Sequence, residues 1–194
     1  MHTILSENKN LLLRQIAQNV PVSDIKGARI RALVKEMKAL LAVEKYGVAL
    51  AAPQVGELHR LFIISGRALA RGSRNSPDER GSQNNDEPAT VSKIEEMPTL
   101  PDQVYINPEL LKMSRKRADK HEGCLSIRGK WGEVPRAEKV TIRAYDENGK
   151  RFTRGASGFL AHIFQHELDH LEGILYTDKA TAVYDDPGVH PLRS

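Results

Sequence analysis

The sequence predicts an α+β domain in which antiparallel strands pack around a buried metal-binding helix, with an amphipathic helix towards the N-terminus. Three patterns lead to that class. Residues 23–45 repeat apolar side chains at helical steps, and residues 140–154 alternate around a turn. Residues 159–171 are apolar on most faces yet carry His162, His166 and His170.

In the first segment, Ile25, Ile30, Leu33, Val34, Met37, Leu40 and Leu41 recur three and four residues apart, with Ser23 or Asp24 as N-cap and Gly47 beyond the end. Residues 60–65 and 104–107 read as short strands. Between them, residues 66–99 are rich in Ser, Asn, Asp, Glu, Gly and Pro, the composition of a polar insertion in a surface loop. Val140, Ile142 and Ala144 alternate with Thr141, Arg143 and Tyr145; Asn148-Gly149 then turns the chain, and residues 151–154 return antiparallel. Residues 155–158 read as a loop, and the second helix stops near Gly173. From about residue 179 the tail, with Pro187 and Pro191, is expected to be irregular.

The chain has 194 residues, 40% of them hydrophobic, which is enough for one domain spanning 1–194 with a real core. Its 29 basic and 25 acidic residues are spread along the chain without a basic run interleaved by aromatics, which argues against specific nucleic-acid binding. Cys124 is the only cysteine, so no intrachain disulfide forms. No stretch at the N-terminus has the apolar length of a signal peptide, and none elsewhere approaches the ~20 apolar residues of a membrane span. A soluble cytoplasmic protein without membrane partners is expected.

The chemistry concentrates in His166-Glu167-Leu168-Asp169-His170. Histidines at i and i+4 share a helix face and can meet one cation, while Glu167 reaches the side where a water would bind. The alternative is a solvated polar face, but Phe164, Leu168 and Leu171 argue burial, where such groups need partners. A hydrolytic site usually takes three protein ligands. In metzincin proteases the third is a histidine, and Gly173 stands where their glycine belongs. Tyr176 occupies the histidine's place, however, and no methionine follows Met113 to form a Met-turn. The short tail after Glu172 leaves little room for a thermolysin-type glutamate. The ligand then lies upstream, where Cys124 offers a thiolate suited to a borderline-soft ion; inert packing is the other reading of a lone cysteine.

Three segments in order, 47–54 (Gly-Val-Ala-Leu-Ala-Ala-Pro-Gln), 122–126 (Glu-Gly-Cys-Leu-Ser) and 165–170 (Gln-His-Glu-Leu-Asp-His), resemble the signature motifs of the peptide deformylases. The resemblance implies a metal-dependent hydrolase that removes the N-formyl group from the initiator methionine of new polypeptides. It implies Cys124, His166 and His170 as metal ligands, with Fe2+ the usual native ion and Zn2+, Ni2+ or Co2+ able to replace it. Glu167 becomes the general acid/base, with the Gln54 side chain and the Leu125 backbone N–H as the oxyanion hole. Val48, Ala49, Gly123, Trp131, His162 and Ile163 are implied around the substrate. The implied partners are N-formyl-methionyl peptides and, transiently, the ribosome with its nascent chain.

The physics agrees with these roles. A cation held by two neutral imidazoles and one thiolate stays net positive and acidifies a bound water, whose proton Glu167 can accept and return to the leaving amine. Two positions depart from the family pattern. Ala49 replaces a glycine, leaving less room beside the substrate, and His162 stands where an apolar pocket side chain is usual. Three histidines a turn apart span roughly 12 Å, too far to reach one ion, so His162 is expected to be a satisfied pocket or core residue. Trp131 reads equally as a groove wall or a core aromatic, and Arg136 as a groove residue or a structural ion-pair partner. The rivals are a metalloprotease cutting internal bonds and a catalytically silent deformylase-like protein.

Overall fold

A computed structural model describes residues 2–73 and 100–185. Within them a five-stranded antiparallel sheet runs β1 (Ala49–Ala51), β2 (Leu61–Ile64), β3 (Gln103–Met113), β6 (Lys139–Tyr145), β7 (Arg151–Ser157). A second, three-stranded sheet runs β4 (Arg117–Cys124), β5 (Ile127–Ala137), β8 (Ala182–Asp185). Four helices accompany them among the described residues: α1 (Ala28–Val43), α2 (Gly66–Ser73), α3 (Gly158–Leu171) and α4 (Tyr176–Lys179).

The larger sheet is covered on both faces, and period-2 alternation decides what goes where. Ala49, Phe62, Ile64, Tyr105, Val140 and Ile142 face α3, packing on Leu160, Ile163, Phe164 and Leu171. Their neighbours Leu50, Leu61, Ile63, Val104 and Ile106 face α1, meeting Ile30, Leu33, Met37 and Leu41. β2 therefore reads as an unbroken apolar run, Leu61-Phe62-Ile63-Ile64, all four residues 0% exposed. Each such side chain contributes roughly 1.5–3 kcal/mol on leaving water.

The β6–β7 hairpin has the expected register, from Lys139 opposite Ser157 to Tyr145 opposite Arg151. Other expectations need correction. α1 starts at Ala28 with Gly27 as N-cap, because Val22–Asp24 forms a 3-10 turn whose Asp24 carbonyl accepts from Gly27 N–H at 2.8 Å, so neither Ser23 nor Asp24 caps the helix. Residues 155–157 belong to β7 and Gly158 opens α3, so they form no loop. The strand expected at 104–107 continues to Met113 past a bulge at Asn107, whose side chain accepts from Val20 N–H and donates to Val20 C=O, both at 2.8 Å.

The segment 66–99 opens with a helix, not a loop. α2 buries Ala68, Leu69 and Ala70 and packs on α3. That short apolar run is swamped by the polar residues after it, and residues 74–99 lie outside the described part. The tail is not irregular throughout: Ala182–Asp185 pairs with β5, Trp131 opposite Tyr184, and residues 186–194 lie outside the described part.

Candidate metal centre

α3 delivers both histidines of the pair expected to bind a metal. It ends at Leu171, and Gly173, just past the Glu172 cap, has a φ of +72° that continues the chain in a left-handed turn; Ile174 N–H bonds back to the Asp169 carbonyl at 2.9 Å. A Cβ there would meet the Arg14 backbone at 2.7 Å, so glycine is required twice over. The glycine shared with the metzincin pattern is thus a helix stop. Tyr176, at the position of their third histidine, is 1% exposed and stacks on the His166 ring at 6.3 Å.

Cys124 is the last residue of β4, and Leu125 and Ser126 form the two-residue turn into β5. Because side chains alternate along a strand, Glu122 and Cys124 face the same way, towards α3. Gly123, between them, lies under Trp131: a Cβ would sit 3.1 Å from the ring, so the indole packs flat on the strand beside the cysteine. Trp131 is half-buried.

The ligand atoms of Cys124, His166 and His170 all lie within 4.8 Å of one another, and Cys124 Sγ is 3.3 Å from His170 Nε2. Tetrahedral Zn–S and Zn–N bond lengths place neighbouring ligand atoms roughly 3.4–3.6 Å apart, so these donors fit a divalent transition ion. Burial opposes charge on the Cys124 thiol, but His170 and His166 overcome it and hold its pKa well below that of a free thiol, favouring the thiolate that a metal needs. Burial likewise pulls the His166 pKa down, while Cys124 and Glu122 carry it well above the ordinary histidine value.

Glu122 was missed as a partner by the sequence reading, although its i, i+2 spacing from Cys124 pointed to it. The carboxylate is 2% exposed and accepts from Arg136 Nε at 2.5 Å, Arg136 Nη2 at 2.9 Å and His166 Nδ1 at 2.7 Å. Burial pushes its pKa up, but Arg136, His162 and His166 together hold it far below the carboxylate range. With Nδ1 engaged, His166 presents Nε2 to the ligand cluster. Arg136 also donates to Asp169 Oδ2 at 2.6 Å, and Lys179 donates to Asp169 Oδ1 at 2.6 Å. Of the two readings of Arg136, the structural ion pair is the one present.

Glu167 is 3% exposed, and its Oε2 has no hydrogen-bond partner among the described residues. Burial raises its pKa, His166 and His170 pull back, and the balance stands at about 7. Gln54 is fixed by its carbonyl oxygen, which accepts from Ala51 N–H at 2.8 Å, so its amide NH₂ points at the site, 3.4 Å from Cys124 Sγ. His162 is not in the ligand cluster; its Nε2 lies 3.0 Å from Glu122 Oε1. Ala49 and Ile163 are buried in the core, 6% and 3% exposed, and Val48 is half-buried just before β1.

A sequence model of the family described as polypeptide deformylase matches residues 1–185. The chain belongs to that family. Peptide deformylase 1 of Clostridium perfringens is 40% identical over 150 residues, covering 77% of this chain and 80% of the relative. A peptide deformylase of Desulforudis audaxviator is 34% identical over 138 residues, covering 71% and 70%. The crystal structure of a class I type b peptide deformylase from Acinetobacter baumannii with bound Met-Ala-Ser superposes with a TM-score of 0.71 at 28% identity, covering 92% of this chain and 98% of that one.

As a deformylase, the protein is a metal-dependent hydrolase that removes the N-formyl group from newly made polypeptides. The metalloprotease reading falls with the family match. No helix among the described residues is long and apolar enough to cross a membrane.

Proposed function

We propose that Cys124, His166 and His170 hold one divalent ion, Fe2+ in the native protein, and that Glu167, Gln54 and the Leu125 N–H carry out deformylation of N-formyl-methionyl chains around it. The observation that carries this is one cluster: three ligand atoms within 4.8 Å, with a buried, unpartnered oxygen on Glu167, the residue after His166 on the helix that carries both histidines. Zn2+, Ni2+ or Co2+ suits the same donors.

The ion supplies Lewis-acid activation of water and of the formyl carbonyl. Glu167 takes the proton from the attacking water as its oxygen bonds to the formyl carbon. The carbonyl oxygen then gains negative charge, which the Gln54 amide and the Leu125 N–H receive as hydrogen-bond donors. Glu167 returns the proton to the amine nitrogen, the C–N bond breaks, and formate and a free amino terminus result. The Met-Ala-Ser held by the Acinetobacter protein has the form of such a free-amine product. Val48, Gly123, Trp131 and His162 border the bound peptide, with Ala49 contributing backbone and Ile163 backing the methionine pocket. In the cell the ribosome presents the chain transiently in the cytoplasm.

Anaerobically purified protein tests this with formyl-Met-Ala-Ser. One formate per free amine and one iron per chain are expected. Metal-replete protein that releases no formate sinks the reading in favour of the silent relative.

A further inference from the structure

Each oxygen of the Glu122 carboxylate lies against one arginine nitrogen and one histidine nitrogen. Oε1 accepts from Arg136 Nε at 2.5 Å and has His162 Nε2 in ion-pair contact at 3.0 Å; Oε2 accepts from Arg136 Nη2 at 2.9 Å and His166 Nδ1 at 2.7 Å. Both the carboxylate, with its side chain 1% exposed, and His162, at 14%, are withdrawn from water, so solvent does not share this load. Three hydrogen bonds and the His162 contact occupy the carboxylate's roughly four lone-pair sites.

A carboxylate behind a metal-bound imidazole strengthens that ligand by drawing on its N–H. Charge given to one donor is withdrawn from the others, and low dielectric sharpens the competition. Such outer support reaches the ligand set through His166 alone among the described residues, because His170 Nδ1 has no partner there. Any group that competes for Glu122 therefore acts on the ion through one bond.

We propose that His162 is a positioning residue of the metal centre: by donating to Glu122 Oε1 it weakens the pull of Glu122 on His166 and so loosens the grip of Cys124, His166 and His170 on their ion. This rests on the reading of those three residues as ligands. The role requires the tautomer with the proton on Nε2, the nitrogen that faces Glu122 Oε1. Arg136 keeps the carboxylate in place whether or not His162 donates, so the effect is one of degree.

The test loads the protein with cobalt(II) and follows its loss to a chelator, beside its visible absorption. His162→Leu removes the donor and is expected to slow cobalt loss about three- to tenfold, below the ~10–100-fold typical of losing an outer partner outright, because Glu122 remains. The cobalt absorption bands should shift with it. His162→Gln, whose amide N–H can reach the same oxygen, should return both towards the parent. Should His162→Leu fail to fold, His162→Asn, polar but too short to reach Glu122, carries the same expectation.

Unchanged cobalt loss and spectrum in both short variants, with only the KM for formyl peptide altered, would make His162 a pocket wall and overturn the proposal. Faster cobalt loss overturns it as well, since His162 would then be supporting the site. A parent protein that takes up no cobalt overturns the ligand reading itself, and the proposal with it; uptake with unresponsive variants overturns the proposal alone.

Discussion

Cys124 Sγ and His170 Nε2 stand 3.3 Å apart, although β4 and α3 bring them from positions 46 residues distant in the chain. α3 carries two of the proposed ligands and β4 the third, so an ion held by them would join a strand of the smaller sheet to the central helix. Cys124→Ala should abolish stoichiometric metal and lower the thermal midpoint, because metal affinity is coupled to the folded state. Metal analysis beside a melting curve checks this. A variant holding a full equivalent of ion with unchanged melting would remove Cys124 from the ligand set.

Arg136 is 3% exposed and bridges two buried acids, Glu122 and Asp169. Arg136→Met leaves both carboxylates short of their cation, a loss typically of about 3–5 kcal/mol. Urea denaturation of the metal-free protein isolates that cost from any effect on the ion. A change under 1 kcal/mol would mean that Lys179 and the histidines compensate.

Leu69, on α2, is 5% exposed and packs in the core shared with α3. Leu69→Ala is expected to cost about 2–5 kcal/mol in the same denaturation experiment. An unchanged midpoint would place α2 outside the cooperative unit.

The elements visible in the sequence were those whose burial is one-sided or total. α1 and the β6–β7 hairpin show their apolar faces at the expected period, and α3 is apolar nearly all round. β4 and β5 were invisible because their residues carry no strand signal: Arg117-Ala118-Asp119-Lys120-His121 offers no apolar alternation, and Gly129, Gly132 and Pro135 speak against a strand. Among the site residues, the His166/His170 pair followed from helical spacing, and Cys124 needed the family resemblance to stand out from packing. The support of Glu122 by Arg136 and His162 depends on contacts across 14 and 40 positions, which no local pattern encodes.

His2 couples the N-terminus to the fold through Glu36 at 2.8 Å and Glu57 at 3.2 Å. The Glu36 contact raises its pKa above the ordinary value, burial opposes, and Glu57 adds to the rise. A raised histidine stabilises the folded state fully below the unfolded pKa and loses that contribution as pH climbs through the folded value. The parent should therefore lose its advantage over His2→Ala as pH rises from about 6 to 8. Parallel urea midpoints across that range read the trend; an advantage that grows with pH would contradict the pairing.

Glu167 separates binding from chemistry. In the proposed site His166 and His170 supply nitrogen ligands, while the Oε2 of Glu167 is buried without a partner among the described residues, an atom free to carry a proton. Glu167→Gln keeps the shape and the helix but can neither accept the water's proton nor return it to the amine. The variant should keep its metal and its melting behaviour while turnover falls about 10²–10⁴-fold, the usual range for a general acid–base group. KM should move little, since the ground-state contacts survive. Gln54→Ala gives the comparison: loss of one oxyanion donor, typically ~10²–10³ in turnover, with proton transfer left in place. Single-turnover formate release measured beside metal content decides the matter. A metal-replete Glu167→Gln protein with near-parent rates removes Glu167 from the chemistry, whereas a metal-free one makes it a ligand.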